Sequence, residues 1–85
     1  MYGSIEYIES NRSSHMVVEV FKTNVQTKRI AKMIIADLSQ LLPNARINFD
    51  LEDCDNILRI ECQQLTIGEV IEIVERCGYS CSVLE

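Results

Sequence analysis

Cysteine thiols are the side chains in this chain that could hold a soft metal ion or take part in redox chemistry. The four cysteines are Cys54, Cys62, Cys77 and Cys81. Three thiols brought close together would bind copper or zinc, or form a redox pair. In a reducing compartment, isolated thiols more often serve as small apolar core residues. Cys62, Cys77 and Cys81 fall in apolar patterns, so we predict core positions for these three and an exposed position for Cys54.

A second group of residues suited to binding chemistry is basic and polar, and it occupies one short stretch. Its members are Lys22, Thr23, Asn24, Thr27, Lys28, Arg29 and Lys32. They surround the predicted N-terminus of a helix, where unpaired backbone N–H groups favour an anion. The group therefore predicts a docking site for a small anion or for a carboxylate of a protein partner.

Acidic residues form a third group, around a predicted turn. Its members are Asp50, Glu52, Asp53 and Asp55. Exposed pairs between the acidic and basic groups would contribute about 0–1 kcal/mol each, and such internal charge compensation is the simplest interpretation of both. We also include Asp53 and Asp55 in the predicted docking site. A calcium site is not predicted, because the ligand spacing of a dedicated calcium loop is absent.

Catalytic residues are not evident in the sequence. The single histidine, His15, precedes the predicted fold, so no nucleophile–base pair can be assembled. Tyr79 follows a glycine and is expected to cover the core, although we keep it as a candidate binding aromatic. The sequence thus predicts a protein that is not an enzyme and needs no cofactor, with copper or zinc as the alternative.

Composition and charge narrow the location and the partners. The net charge of −5 arises from eight basic and thirteen acidic residues, and an acidic chain is poorly suited to binding nucleic acid. No apolar run is long enough to span a membrane, and the N-terminal stretch lacks the features of a signal peptide. We therefore expect a cytoplasmic protein that binds neither nucleic acid nor membrane. Residues 1–15 are expected to be a flexible tail, in part an expression remnant, with a short extra edge strand at "SIEYI" as the alternative. Residues 16–85 are expected to form a single domain.

The first predicted elements are a strand and a helix. The run "MVVEVF", from Met16 to Phe21, is of strand type. Apolar residues then recur at helical spacing, with Asp37 as a polar exception. Thr23 or Asn24 is the predicted N-cap of this helix, and Pro43 closes it.

Two alternating strands and a second helix follow. The sequences of the strands are "ARINFDLED" and "ILRIEC", separated by the turn-forming stretch "DCDN". Thr66 and Glu69 form a capping-box pattern at the start of the second helix, and Gly78 suits a left-handed cap at its end. The last predicted strand is "YSCSVL".

This order of elements is β-α-β-β-α-β. It predicts an α+β, ferredoxin-like sandwich, in which a four-stranded antiparallel sheet carries two helices on one face. In that topology the first strand-to-helix loop, the hairpin turn and the second helix-to-strand loop lie at one end of the sheet. Cys54, Cys77 and Cys81 would meet there, while Cys62 would lie at the opposite end. A soft-metal or redox site built from those three thiols is the alternative functional prediction.

Polar side chains on the strands predict the oligomeric state. Arg46, Asn48, Arg59 and Glu61 alternate with apolar residues and are expected on the sheet face that the helices leave open. We therefore expect a soluble monomer or a weak dimer, with self-association through an open sheet edge as a third candidate role.

Parts of the sequence resemble the heavy-metal-associated (HMA) domain, the fold of small copper chaperones and of the N-terminal modules of metal-pumping ATPases. The stretch "LLPNARINF" looks like the family's Leu-Pro-Gly-Val joint, and "VIEIVERCGYSCSV" looks like its closing helix, Gly-Tyr pair and strand. More narrowly, "FKTNV" and "INFDLEDCDNILRIE" are similar to a group of small uncharacterised bacterial proteins related to that family.

The resemblance implies a metal-binding loop whose ligands are missing from this chain. The family binds a soft cation such as copper(I) through the two cysteines of a Gly-Met-x-Cys-x-x-Cys motif between the first strand and the first helix. Residues 22–28 occupy that place and contain no cysteine, and neutral oxygen donors do not replace thiolates for a soft metal. We therefore predict a degenerate HMA-like domain that has lost metal binding and acts as a small binding or protein-interaction module.

Overall fold

The computed structural model of the protein describes residues 16–52 and 56–84. The predicted tail, with His15, lies outside these ranges. So do Asp53, Cys54 and Asp55 in the predicted hairpin turn.

Within residues 16–52 and 56–84, six elements follow one another in the predicted order. They are β1 (Val17–Thr23), α1 (Lys28–Leu41), β2 (Arg46–Asp50), β3 (Ile57–Cys62), α2 (Ile67–Arg76) and β4 (Cys81–Val83). The strands form one sheet in the order β2-β3-β1-β4, and every neighbouring pair is antiparallel. The structure therefore confirms the predicted α+β fold with a ferredoxin-like arrangement.

The two central strands supply the apolar floor of the sheet. Side chains alternate between the two faces of a strand, and in β1 Phe21 and Thr23 are buried while Lys22 between them is exposed. Phe21 lies opposite Leu58 of β3 in the register of the two strands. Residues with the same orientation on β3, Leu58, Ile60 and Cys62, are also buried. The face that carries these residues is the one covered by the helices.

Each helix contributes one apolar stripe to the core above this floor. In α1 the buried residues are Ala31, Ile34 and Leu38, and in α2 they are Val70 and Val74. Their spacing of three and four residues places each set on one side of its helix. Burial of a large aliphatic or aromatic side chain contributes roughly 1.5–3 kcal/mol. Residues from both helices and from three strands form a single buried cluster with Phe21.

The N-terminus of α1 lies later than predicted. Its N-cap is Thr27, whose Oγ1 accepts a hydrogen bond from the backbone N–H of Ile30 at 3.3 Å. The prediction of Thr23 or Asn24 as the cap was wrong, because Thr23 still belongs to β1 and the buried Val25 lies between the strand and the helix. The helix ends at Leu41, two residues before Pro43, as the sequence indicated.

The two ends of α2 differ in how their backbone groups are satisfied. Thr66 is the N-cap, but its side chain makes no capping hydrogen bond, so the predicted capping box is not formed through that hydroxyl. At the other end Gly78 has a left-handed φ of 96°. Its N–H donates to Glu75 O at 2.9 Å, and Tyr79 N–H donates to Val74 O at 3.3 Å. This is the Schellman arrangement, and it confirms the predicted glycine cap.

The two glycines of α2 and its cap give a test of this description. We expect Gly78→Ala to lower the free energy of unfolding by about 1–2 kcal/mol, since an L side chain is strained at positive φ. Gly68→Ala is the matched control, because a Cβ at either glycine meets open space while Gly68 lies within the helix. It should raise stability by up to about 1 kcal/mol. Urea denaturation measures both, and a change of the same sign in both variants would contradict the assignment.

Candidate functional site

Thr23 joins the end of β1 to the start of β3. Its side chain is buried, and its hydroxyl donates to the backbone oxygen of Asn56 at 2.6 Å. The Oγ1 of Thr23 in turn accepts a hydrogen bond from the backbone N–H of Val25 at 3.2 Å. Asn56 has a left-handed φ of 48° and directly precedes β3. One buried hydroxyl therefore connects the strand-to-helix loop with the base of the β2–β3 hairpin.

Asn24 joins the same loop to the segment between α2 and β4. Its Oδ1 accepts a hydrogen bond from the backbone N–H of Ser80 at 2.8 Å. Ser80 lies between the Gly78 cap and the first residue of β4. With the Thr23 contact, this bond confirms that the three predicted connections meet at one end of the sheet. We call this surface, formed by residues 22–32, 50–52, 56 and 78–81, the loop end.

The uncharged polar residues of the predicted docking site are largely used within the protein. Thr23 is buried and satisfied by two backbone groups, and Thr27 caps α1. Asn24 is exposed, but its carbonyl oxygen is taken by Ser80. Tyr79 is half-buried and packs against the core, as the sequence suggested. Of the predicted docking residues, these four therefore act first as structural links within the loop end.

The basic side chains of α1 are directed to solvent. Lys28, Arg29 and Lys32 are exposed. Across residues 16–52 and 56–84, an ion pair joins Arg76 to Glu72 at 3.6 Å, and none involves these three residues. In the described part of the chain, these three residues thus form none of the ion pairs expected from internal charge compensation, the simplest interpretation of the sequence. Lys22 is also exposed, on the open face of β1.

A groove between α1 and β2 adjoins these cations. Its volume is about 420 Å³, and it is lined by Lys28, Ala31, Lys32, Ile35, Asn48, Phe49, Asp50, Leu51 and Glu52. The lining thus combines apolar side chains with lysines from the helix and carboxylates from the hairpin. Sequence reasoning did not find this groove, although the half-buried Ile35 beside the core stripe of α1 is a signal that could have indicated it.

The described thiols do not face the loop end as a group. Cys62 and Cys81 are buried in the core, as predicted, while Cys77 is only half-buried. The Sγ of Cys77 donates to Oδ2 of Asp37 at 3.5 Å. Asp37 lies ten residues beyond Thr27, which is about 15 Å along the axis of α1. The Cys77 thiol is therefore directed towards the middle of α1, which also explains the polar exception in the helix stripe.

The surroundings of the two loop-proximal thiols disfavour their thiolate forms. Burial and the nearby Glu75 raise the pKa of Cys81 to about 11. Burial, followed by the hydrogen bond and negative charge of Asp37, raises the pKa of Cys77. Soft metals are bound by thiolates, so both shifts oppose metal binding.

A metal site at the loop end therefore depends on residues that the structure does not describe. Within the described ranges, no three His, Cys, Asp or Glu residues come together in a way that could hold a metal ion. Cys54 lies outside these ranges, so a site that includes Cys54 stays a prediction. Neither α1 nor α2 is long and apolar enough to cross a membrane.

The role of the buried hydroxyl can be tested by a nearly isosteric substitution. Thr23→Val removes the donor to Asn56 O and the acceptor for Val25 N–H, which leaves buried backbone groups unpaired. We expect the free energy of unfolding to fall by about 1–3 kcal/mol. Thr66→Val is the matched control, since the exposed Thr66 makes no side-chain capping bond, and its effect should stay within about 0.5 kcal/mol. Equal losses in the two variants would argue against the link.

The thiol environments predict an order of reactivity with iodoacetamide. At mildly alkaline pH, Cys81 should react slowly because its pKa is about 11 and the thiolate is the nucleophile. Asp37→Asn should accelerate alkylation of Cys77, since removing the carboxylate charge lowers the thiol pKa and increases the thiolate fraction. Peptide mapping by mass spectrometry resolves the individual cysteines, with Glu69→Gln as a charge-matched control. Acceleration by the control alone would refute the Asp37 contact.

Known proteins do not match this chain in any of three comparisons, with protein-family models, with curated proteins and with solved structures. The description of the fold and of the loop end therefore comes from the structure of this chain alone, and the resemblance to the HMA domain stays a prediction.

Proposed function

We propose that the chain is a non-enzymatic binding module that captures an acidic partner at its loop end. The partner would be an acidic segment of another protein or a small anion, and the contact residues would be Lys28, Arg29 and Lys32. The proposal includes the HMA-like ancestry predicted from the sequence, with the cysteine pair of the metal loop lost. It also includes the predicted bacterial cytoplasm, which is supported by the free state of Cys62, Cys77 and Cys81.

The observation that carries this proposal is the connection of three segments by Thr23 and Asn24. Hydrogen bonds from these two side chains hold the start of β3 and the α2–β4 segment against the β1–α1 loop. A surface whose backbone is already ordered loses less conformational entropy when it binds. The loop end therefore offers a partner a preorganised platform in place of the metal loop of the HMA family.

The charges on this platform suggest the chemistry of the partner. Lys28 and Lys32 are one helical turn apart and face the same side of α1, and Arg29 adds a planar donor group suited to carboxylates. The chain carries a net charge of −5, and Asp50 and Glu52 line the same groove as Lys28 and Lys32. An acidic partner would therefore be drawn to the solvent-facing side of these cations, where the charge is locally positive. The N-terminus of α1 adds a favourable partial charge next to them.

The alternative is the soft-metal or redox site formed by Cys54, Cys77 and Cys81. The raised pKa values of Cys77 and Cys81 count against it. Titration of the reduced chain with copper(I) separates the two proposals. Submicromolar binding that is lost in Cys54→Ser would favour the thiol site, whereas weak binding unaffected by that substitution would rule the thiol site out.

Arginine substitutions test the cationic surface directly. A short oligo-glutamate peptide and, separately, inorganic phosphate are titrated into the full chain, and backbone amide shifts are followed by NMR. We expect shifts centred on residues 27–32 and about two- to fivefold weaker binding in Arg29→Gln, in line with the strength of exposed ion pairs. Arg76→Gln removes an equally exposed guanidinium on α2 and should leave the affinity unchanged.

The outcome of this titration separates two kinds of ligand. Binding of the peptide but not of phosphate would indicate an acidic protein partner, and binding of both would indicate a general anion site. Equal weakening in Arg29→Gln and Arg76→Gln, or shifts spread over the whole surface, would show that only net charge matters and would refute the proposed site.

A further inference from the structure

The strand β2 lies at one edge of the sheet. The order β2-β3-β1-β4 gives it β3 as a neighbour on one side, and no other strand of the described ranges pairs with its outer side. Unpaired backbone N–H and C=O groups along an edge are a template for a further strand. Natural edges are usually protected by charge or by covering elements, so the residues on this edge decide what can be added to it.

The residues of β2 are arranged symmetrically about its centre. The strand reads Arg46-Ile47-Asn48-Phe49-Asp50, with opposite charges at its ends, apolar residues in second and fourth place, and an amide in the middle. The first, third and fifth residues are exposed, and Ile47 and Phe49 are half-buried. Reversing the strand exchanges the charges and keeps every other type in place, so the edge is complementary to itself.

We propose that β2 pairs with β2 of a second copy of this chain, antiparallel and around a two-fold axis at Asn48. The two sheets would then form one continuous sheet, with a self-complementary interface of the kind that C2 dimers require. This inference goes beyond the proposed function, since it concerns the outer edge of β2 and does not depend on an acidic partner, although the groove beside that edge is also lined by Lys28 and Lys32.

The register of the proposed pair follows from antiparallel geometry. Directly opposite residues must have the same backbone orientation, so their numbers must both be even or both be odd. An axis at Asn48 places Arg46 opposite Asp50 of the second copy and Ile47 opposite Phe49. An axis at Ile47 would place Arg46 opposite Asn48 and would leave both charges unmatched. The axis at Asn48 is the one that pairs all residues of the strand.

Both charged ends of β2 have capacity for such a contact. Arg46 faces Glu61 across the β2–β3 register, yet these two residues form no ion pair within the described ranges. Asp50 uses Oδ1 to accept the N–H of Glu52 at 3.2 Å, which leaves its second carboxylate oxygen for another donor. Two Arg46–Asp50 contacts would therefore form in each dimer without breaking a contact within either copy.

The apolar side of the edge gives the pairing its driving force. Phe49 and Leu51 line the groove between α1 and β2, together with Ile35. In the proposed register, Ile47 of the second copy lies beside Phe49 on the helix side of the sheet and covers this groove. Removal of half-exposed apolar surface from water favours association. Self-pairing is favoured over the alternative occupants, the "SIEYI" stretch of the tail or a strand of another protein, because the charges at the two ends of β2 match when the strand meets its own reverse.

Sedimentation equilibrium of the full chain over a concentration series tests the proposal, and we expect a monomer–dimer equilibrium. Arg46→Asp and Asp50→Arg should each weaken the dimer at least about tenfold, because each places like charges opposite each other twice per dimer. The double variant Arg46→Asp/Asp50→Arg exchanges the two charges and should restore association. Failure of the double variant to restore a dimer weakened by both single variants would overturn the proposed register.

A second variant avoids the hairpin contact made by Asp50. Asn48→Glu puts two carboxylates together at the two-fold axis, while in the monomer the new carboxylate lies opposite Arg59 and is compatible with folding. It should weaken the dimer at least about tenfold. Ser82→Glu is the matched control, since Ser82 is exposed on β4 at the other edge of the sheet, and it should leave the dimer unchanged.

Amide hydrogen exchange locates the interface independently. Protection of the β2 amides should rise with protein concentration, while that of the β4 amides should not. Three results would overturn the proposal. The first is a chain that stays monomeric at about 1 mM, which is the result expected if the tail or a foreign strand occupies β2. The second is a dimer weakened by Ser82→Glu but not by Asn48→Glu. The third is concentration-dependent protection confined to β4.

Discussion

The buried hydroxyl of Thr23 is the interaction on which the candidate site depends. A hydroxyl away from water is unfavourable unless both its donor and acceptor functions are used, and here Asn56 O and Val25 N–H use them. The first bond holds the base of the hairpin, and the second turns the chain so that Val25 enters the core. Only after that turn can Thr27 begin α1. The position of the basic residues on the helix is therefore set by a side chain that none of them touches.

This arrangement shows how a loop can keep its shape without a metal. In the resemblance drawn from the sequence, a cation bound by two thiolates would order the loop between the first strand and first helix. Here neutral hydrogen bonds of Thr23 and Asn24 reach the two neighbouring segments and order the loop. The side-chain oxygen atoms of Thr23 and Asn24 already accept hydrogen bonds within the protein. Binding to a partner at the loop end therefore relies on the charged residues of α1.

Most of the fold could be predicted from the periodicity of apolar residues. The site could not, because it depends on individual side-chain hydrogen bonds and on how neighbouring elements pack. The alternation of Ile47 with Phe49 and the three- and four-residue spacing in both helices define the elements and their order. The cap of α1 was misassigned because Thr23 is a good capping residue by type. Its place in the inward phase of β1, two residues after Phe21, was the contrary signal. The groove beside β2 was missed because it forms between α1 and β2, and the periodicity of either element alone does not show how the two pack. Ile35, an apolar residue beside the core stripe of α1, was the available signal.

The strand order also has a consequence for how the chain folds. The centre of the sheet joins β1 to β3, and in that pair Phe21 lies opposite Leu58. β1 further pairs with β4, where Phe21 lies opposite Val83. Contacts between residues so distant in sequence form slowly, because a long loop must be closed before they contribute. During synthesis, β1 leaves the ribosome well before β3 and β4. Its apolar residues therefore stay without their partner strands until most of the chain has been synthesised.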